Sequence, residues 1–233
     1  MKITFRCYPE LEPHLPKPVP AKRGMPAWLK SMPLTAWATD FEEEVKTVKG
    51  CPPVIDAMTS GFLLPLACDL QVDRGRFQWH WEGLPDDLPP HVPRSPIHFH
   101  VAEQVEGSPL FEPGWIPVKF RNLWAAEPED GWSILYTHPV NRLDLPYRTI
   151  TGLVDNDRYH DVFTHIPAVW VDPDFSGTLP AGTPIAQAIP VKRESLEMET
   201  AAMTPQELDV FLEATRSINE NPGEYKRLYR VAR

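Results

Sequence analysis

Proline limits what this chain can fold into: 28 of its 233 residues are proline, about 12% against a usual figure of about 5%. An interior proline clashes with the preceding helical turn and removes a hydrogen bond from a sheet ladder, so long helices and coiled coils are excluded. Short strands joined by ordered loops remain. The chain is 42% hydrophobic, with 8 Trp, 10 Phe and 6 Tyr, which is enough for a core and excludes a disordered polymer.

Apolar alternation places the strands. Residues 3–8 read as a first strand, and five prolines between 9 and 20 then force an extended run. Short helices are expected after Pro26 and from Pro53, the second closing at Gly61. Residues 63–72 and 76–81 flank Asp73-Arg74-Gly75 as a hairpin, with Phe77, Trp79 and Trp81 at period-two spacing. The proline-rich stretch 84–96 belongs to a loop. Later strands are expected at 118–124, 132–138, 148–154, 162–171 and 185–192, separated by Pro, Gly, Asn and Asp. Thr204-Pro205-Gln206-Glu207 is a capping box opening one late helix, with Leu208, Phe211, Leu212 and Thr215 on one stripe. The fold class is therefore mainly β: a single-domain jelly-roll or β-clip-like sandwich with short N-terminal helices and one C-terminal helix. Its expected layout over 1–233 is a proline-rich wrap (1–60), a β core (61–194), a C-terminal helix (204–219) and a basic tail (220–233) holding Lys226, Arg227, Arg230 and Arg233.

Charge narrows the partners. With 23 Lys and Arg against 32 Asp and Glu, the net charge is −9, which argues against duplex nucleic acid. Cys7, Cys51 and Cys68 are few, odd in number and widely spaced, which suits a reducing cytoplasm better than a disulfide scaffold. The opening residues carry no apolar run of signal-peptide length, and no stretch approaches the ~20 apolar residues of a membrane span. No membrane partner is expected. The oligomeric state is open.

Three constellations could carry chemistry. His98-Phe99-His100 on a strand would turn both imidazoles to one face, where Fe(II) or Zn(II) could bind them together with an acid or with His138, His160 or His165 from other strands. The bland reading is a helical turn with surface histidines. The second is the polar run after residues 147–154, which carries Asp155, Asp157, Arg158, Tyr159, His160 and Asp161. Acids leaving a strand end can orient a water or accept a ligand hydroxyl, or they can simply build a tight turn. Arg142 is the third, able to fork onto a carboxylate or phosphate, or to pair with Asp144. Arg142, Asp155 and Asp157 are expected to share one polar cluster at the mouth of the sheet. Trp79, Trp81, Trp115, Trp124 and Trp132 could line an aromatic groove.

Two resemblances follow from these blocks. The order GLVDND, Arg158, Tyr159, then Phe175 to Gly177, then LPAGTPIAQAIPVKRE at 179–194, is similar to the deoxyuridine triphosphatase and deoxycytidine triphosphate deaminase superfamily, which has a β-clip or jelly-roll-like fold. The resemblance implies Asp155 as a water-orienting acid, Tyr159 as a sugar-stacking ring and Gln187 as a strand residue near the site. Three departures accompany it: Arg158 is inserted before the tyrosine, THPVNR holds no serine phosphate motif, and the tail lacks a glycine-rich arm. Across nearly the full length, GCPPVIDAMTSGFLLPLACDL, PVKFRNLWA, GWSILYTHPVNR, GLVDNDRYHD and GTPIAQAIPVKRE together resemble an uncharacterised family of bacterial and tailed-phage proteins, a resemblance that supplies no activity.

The expectations for function are ordered accordingly. The first is binding of a small polar molecule or an exposed peptide segment in an aromatic-lined pocket near the Asp155 to Asp161 turn. The second is a cupin-like Fe(II) or Zn(II) enzyme using His98 and His100. The third is a nucleotide hydrolase of deoxyuridine triphosphatase-like fold. Whether the chain is an enzyme stays open.

Overall fold

The structure is a computed structural model that describes residues 1–221 and 223–231. Arg233 of the basic tail lies outside the described residues. In chain order the elements are β1 (Ile3–Arg6), β2 (Val19–Pro20), α1 (Ala27–Ser31), β3 (Thr35–Ala38), β4 (Glu43–Lys46), α2 (Pro52–Thr59), β5 (Phe62–Pro65), β6 (Asp69–Asp73), β7 (Arg76–His80) and β8 (Ile97–Phe99). They continue with β9 (Ile116–Arg121), β10 (Ala125–Pro128), β11 (Trp132–Thr137), β12 (Tyr147–Thr149), β13 (Gly152–Val154), β14 (His165–Trp170), β15 (Ser176–Leu179), β16 (Pro184–Lys192) and α3 (Pro205–Glu220). The chain divides into two compact units, Met1–Ser31 with Asp56–Arg193, and Met32–Ile55 with Glu194 onward.

The larger unit is a β sandwich of antiparallel sheets. One sheet runs β13-β11-β16-β5-β2, a second β12-β14-β9-β8 and a third β15-β6-β7, while β1 pairs with β10. The main apolar core takes Leu64 from β5, Leu70 from β6, Phe120 from β9, Ile134 from β11, Ile166 and Trp170 from β14 and Ile185 from β16, and a second cluster gathers Leu11, Trp81, Leu123 and Trp124. Trp170 and Tyr147 are fully enclosed at the centre of the main core. Tyr147 sends its hydroxyl to the Pro184 carbonyl at 2.6 Å, so the one polar atom of that ring is satisfied. The expected hairpin is β6 to β7, and Arg74 (φ 45) and Gly75 (φ 79) both lie in the left-handed region, as a two-residue turn between twisted strands requires.

Two expected strands are each divided, the first being 63–72, which splits into β5 and β6 of different sheets. The run 148–154 splits into β12 and β13, which belong to different sheets. Apolar residues recur on both sides of the crossing point, at Tyr147, Ile150 and Leu153, so a pattern read along the chain does not register the change of partner.

The smaller unit holds the β3–β4 hairpin and α3. The capping box forms: Thr204 Oγ1 accepts from Glu207 N at 3.3 Å, and Thr204 N donates to Glu207 Oε2 at 2.7 Å. No residue of α3 is buried, and Leu208, Phe211 and Leu212 are exposed. No helix among the described residues is long and apolar enough to cross a membrane.

Candidate functional site

The polar turn after β13 is densely hydrogen-bonded. Asn156, fully buried, pins it: its Oδ1 accepts from Tyr136 Oη at 3.0 Å, and its Nδ2 donates to Tyr159 O at 3.2 Å and to Thr164 Oγ1 at 3.3 Å. Asp155 caps the turn with its backbone, its carbonyl accepting from Arg158 N at 3.0 Å and from Tyr159 N at 2.8 Å. Its side chain accepts from Ser133 Oγ at 2.6 Å. Asp157 is the shielded acid of the pair, with a side chain 4% exposed. It accepts from Gly131 N at 2.9 Å and from both terminal nitrogens of Arg193. Chiefly through the bond from Arg193, its carboxyl is held down to about 2.

The guanidinium that meets these acids is therefore Arg193, and the cluster expected around Arg142 does not form. β11 and β13 run antiparallel with Ile134 opposite Val154. The chain leaving β11 toward Arg142 and the chain leaving β13 toward Asp155 thus emerge at opposite ends of the pair. Arg142 forks onto Asp144, Nε to Oδ1 at 2.9 Å and Nη2 to Oδ2 at 3.0 Å.

Beside the turn lies a cleft of about 250 Å³, lined by Arg6, Tyr8, His160, Asp161, Val162 and Phe163 among others. Tyr8 and Phe163 meet edge to face, ring centroids 5.3 Å apart. Arg6 is joined across the β1–β10 ribbon to Glu127. His160 donates from Nδ1 to Asp157 O at 2.9 Å, which turns its Nε2 toward Asp161 at 3.7 Å. Cys7 also lines the cleft, and burial followed by the charge of Glu12 pushes its thiol pKa up. Among the described residues Tyr159 is bonded only through its backbone, and its ring is exposed.

Apart from His160, the remaining candidates do not join this site. His98 bonds Arg121, His100 Nδ1 meets Gln104 Oε1 at 2.7 Å, and His160 serves the turn. His138 uses both ring nitrogens, Nε2 donating to Arg142 O at 2.9 Å and Nδ1 accepting from Thr149 N at 3.2 Å. Among the described residues, no three His, Cys, Asp or Glu side chains gather at metal-binding distances. His98 and His100 lie on and just after an extended strand, not on a helical turn.

The tryptophans form no common groove. Trp79, Trp81 and Trp124 line three different depressions, Trp132 pairs across to Lys192, and Trp115 precedes β9 in a loop. Gln187 is a buried brace: its Oε1 accepts from Val140 N at 3.0 Å, and its Nε2 donates to Ala57 O at 2.9 Å and to Ser60 O at 2.7 Å. Sequence reasoning passed over Asn156, Arg193 and Tyr8. Only Asn156 carried a local signal, as an Asx residue inside a turn.

No protein-family model matches this chain, and no curated protein sequence does. Solved structures share a slight likeness with it, two phage dUTPases among them. A mutant dUTPase from phage phi11 of S. aureus is 15% identical at a TM-score of 0.29, over 38% of this chain and 74% of that one. A mutant dUTPase of Staphylococcus bacteriophage 80alpha with dUpNHpp is 15% identical at a TM-score of 0.28, over 37% of this chain and 66% of that one. The likeness is to phage dUTPases and it is weak.

Proposed function

We propose that the larger unit binds a small polar ligand in the cleft between the Arg6–Tyr8 segment and residues 160–163. The observation that carries this reading is the cleft itself, which adjoins a turn whose backbone is fixed by Asn156, Asp157 and Arg193. Such fixation lowers the ordering cost of binding. Tyr8 and Phe163 offer apolar ring surface, while Arg6, His160 and Asp161 offer charge and hydrogen bonds at the rim. A ligand with one flat face and a polar edge suits that lining. Its volume of about 250 Å³ falls below the roughly 300–1,000 Å³ of drug-sized sites, which favours a small molecule over a peptide segment. Membership of the bacterial and tailed-phage family that the sequence blocks resemble belongs to the same proposal and adds no activity to it.

The test is protein-observed NMR with benzoate and benzamide as probes. Resonances of Arg6–Tyr8 and His160–Phe163 should move saturably, and Val162→Trp, which fills the cleft from an exposed position, should abolish the effect. Probes that shift nothing there, or that bind the Val162→Trp variant equally well, would overturn the reading.

A further inference from the structure

We propose that the outer face of strands β8, β9 and β14 is a binding site for a phosphate group, built from residues other than those that line the cleft. The argument begins with strand period. Val118 and Phe120 of β9 point into the core, fully buried, so Lys119 and Arg121 stand on the opposite face. Register then sets their neighbours. His98 of β8 lies opposite Lys119, and His165 of β14 lies opposite Arg121. His100, two residues beyond His98, keeps the extended course, its N–H bonded to Pro117 O at 3.0 Å. Five basic or imidazole side chains from three adjacent strands therefore share one face. His98 and His165 place their ring centroids 6.5 Å apart, and Arg121 Nη2 donates to His98 Nε2.

Among the described residues no acid forms an ion pair with this cluster. Among the described residues Arg121 forms no ion pair, and its Nε is enclosed without a hydrogen-bond partner. Burial, then the charges of Arg121, Lys119 and His100, hold His98 below its ordinary pKa; burial, then Lys119, Arg121, His98 and His100, do the same to His165. Every charge acting on the two rings is cationic. In a chain of net charge −9, a cationic group of this kind repels itself unless an anion sits on it. A carboxylate brings one charge and two oxygens. A phosphate brings up to two charges and three or more acceptor oxygens, which suits the remaining guanidinium N–H groups, an ammonium and two imidazoles arriving from different strands.

Calorimetric titration of the full chain with inorganic phosphate, at constant ionic strength, tests the proposal. One saturable site is expected, with acetate at least tenfold weaker. Lys119→Gln and Arg121→Gln should each weaken phosphate at least tenfold while far-UV circular dichroism is unchanged. Lys119 is half-buried on the outer face, so its variant keeps the test valid if Arg121→Gln fails to fold. Glycerol phosphate distinguishes sources: tighter binding than inorganic phosphate supports a phosphorylated metabolite, and equal binding supports the free ion. Val162→Trp should leave phosphate binding intact, which separates failure here from failure of the cleft. Absence of saturable binding by both phosphate and glycerol phosphate, or equal affinity in the Lys119→Gln variant, would overturn the proposal.

Discussion

Arg193, the first residue beyond β16, closes on Asp157 in the turn that follows β13, and that pairing ties the end of the longest strand to the turn beside the cleft. Asp157 passes the tie on, because its own carbonyl accepts from His160 Nδ1 at 2.9 Å. The order of the 155–161 turn thus depends on a residue 36 positions away in sequence.

This pairing predicts an acid transition. With its folded pKa at about 2 and its ordinary value at 3.8, Asp157 binds protons more weakly in the folded chain. It therefore stabilises the fold above about pH 4, and that contribution is lost as pH falls from about 4 toward 2. Thermal melts of the wild type should show Tm dropping through that window, and Asp157→Asn should show a lower Tm at pH 7 with a smaller drop. A variant that follows the wild-type curve at every pH would refute the assignment.

Gln187 predicts a stability loss. Its buried amide bonds Val140 N, Ala57 O and Ser60 O, and Gln187→Ala strands Val140 N and Ser60 O while Ala57 O keeps its bond from Ser60 N. The expected cost is about 3 kcal/mol, on the order of 10 °C in Tm for a chain of this size. Gln187→Glu should recover little, since a carboxylate cannot donate to the two carbonyls. Denaturant melts measure the cost; a change under about 0.5 kcal/mol would mean the brace carries no weight.

The sequence made part of this legible and hid the rest for physical reasons. The β6–β7 hairpin and the Thr204 to Glu207 cap rest on neighbours in the chain, and both were readable as Asp73-Arg74-Gly75 and Thr-Pro-Gln-Glu. Arg193 was not, because nothing near it announces that Asp157 lies opposite. The HxH of β8 and the KxR of β9 each show period two, yet only the register that sets His98 against Lys119 makes them one basic face. The same histidines suggested a metal while their cationic neighbours were out of view.

His138 predicts a milder pH effect in the near-neutral range. Burial lowers its pKa, and Arg148 adds to this, against the opposing bond to the Arg142 carbonyl. Its Nδ1 must stay unprotonated to accept from Thr149 N. Because the folded pKa lies below the unfolded value of about 6.5, its neutral form favours folding above that pH, and this advantage is lost as pH falls below it. Imidazole resonances followed by NMR should show His138 titrating later on acidification than a free histidine. An ordinary midpoint would show that the Thr149 bond is not made in solution.

Two glycines should respond oppositely to alanine. Gly61, between α2 and β5, has φ +68, and a Cβ there would run into the Ala188 carbonyl oxygen on β16. The backbone of two paired strands would have to separate, so Gly61→Ala should cost on the order of 2 kcal/mol or more. Gly152 in β13 has no positive φ, and a Cβ there meets nothing within 4 Å. Gly152→Ala should therefore be neutral or stabilise by about 0.4–1 kcal/mol, because the unfolded chain loses freedom that the strand never uses. Urea midpoints of the two variants, measured side by side, decide the matter: the expected order is Gly152→Ala at or above wild type and Gly61→Ala well below it. The reverse order would mean that β5 does not lie against Ala188 as the register places it.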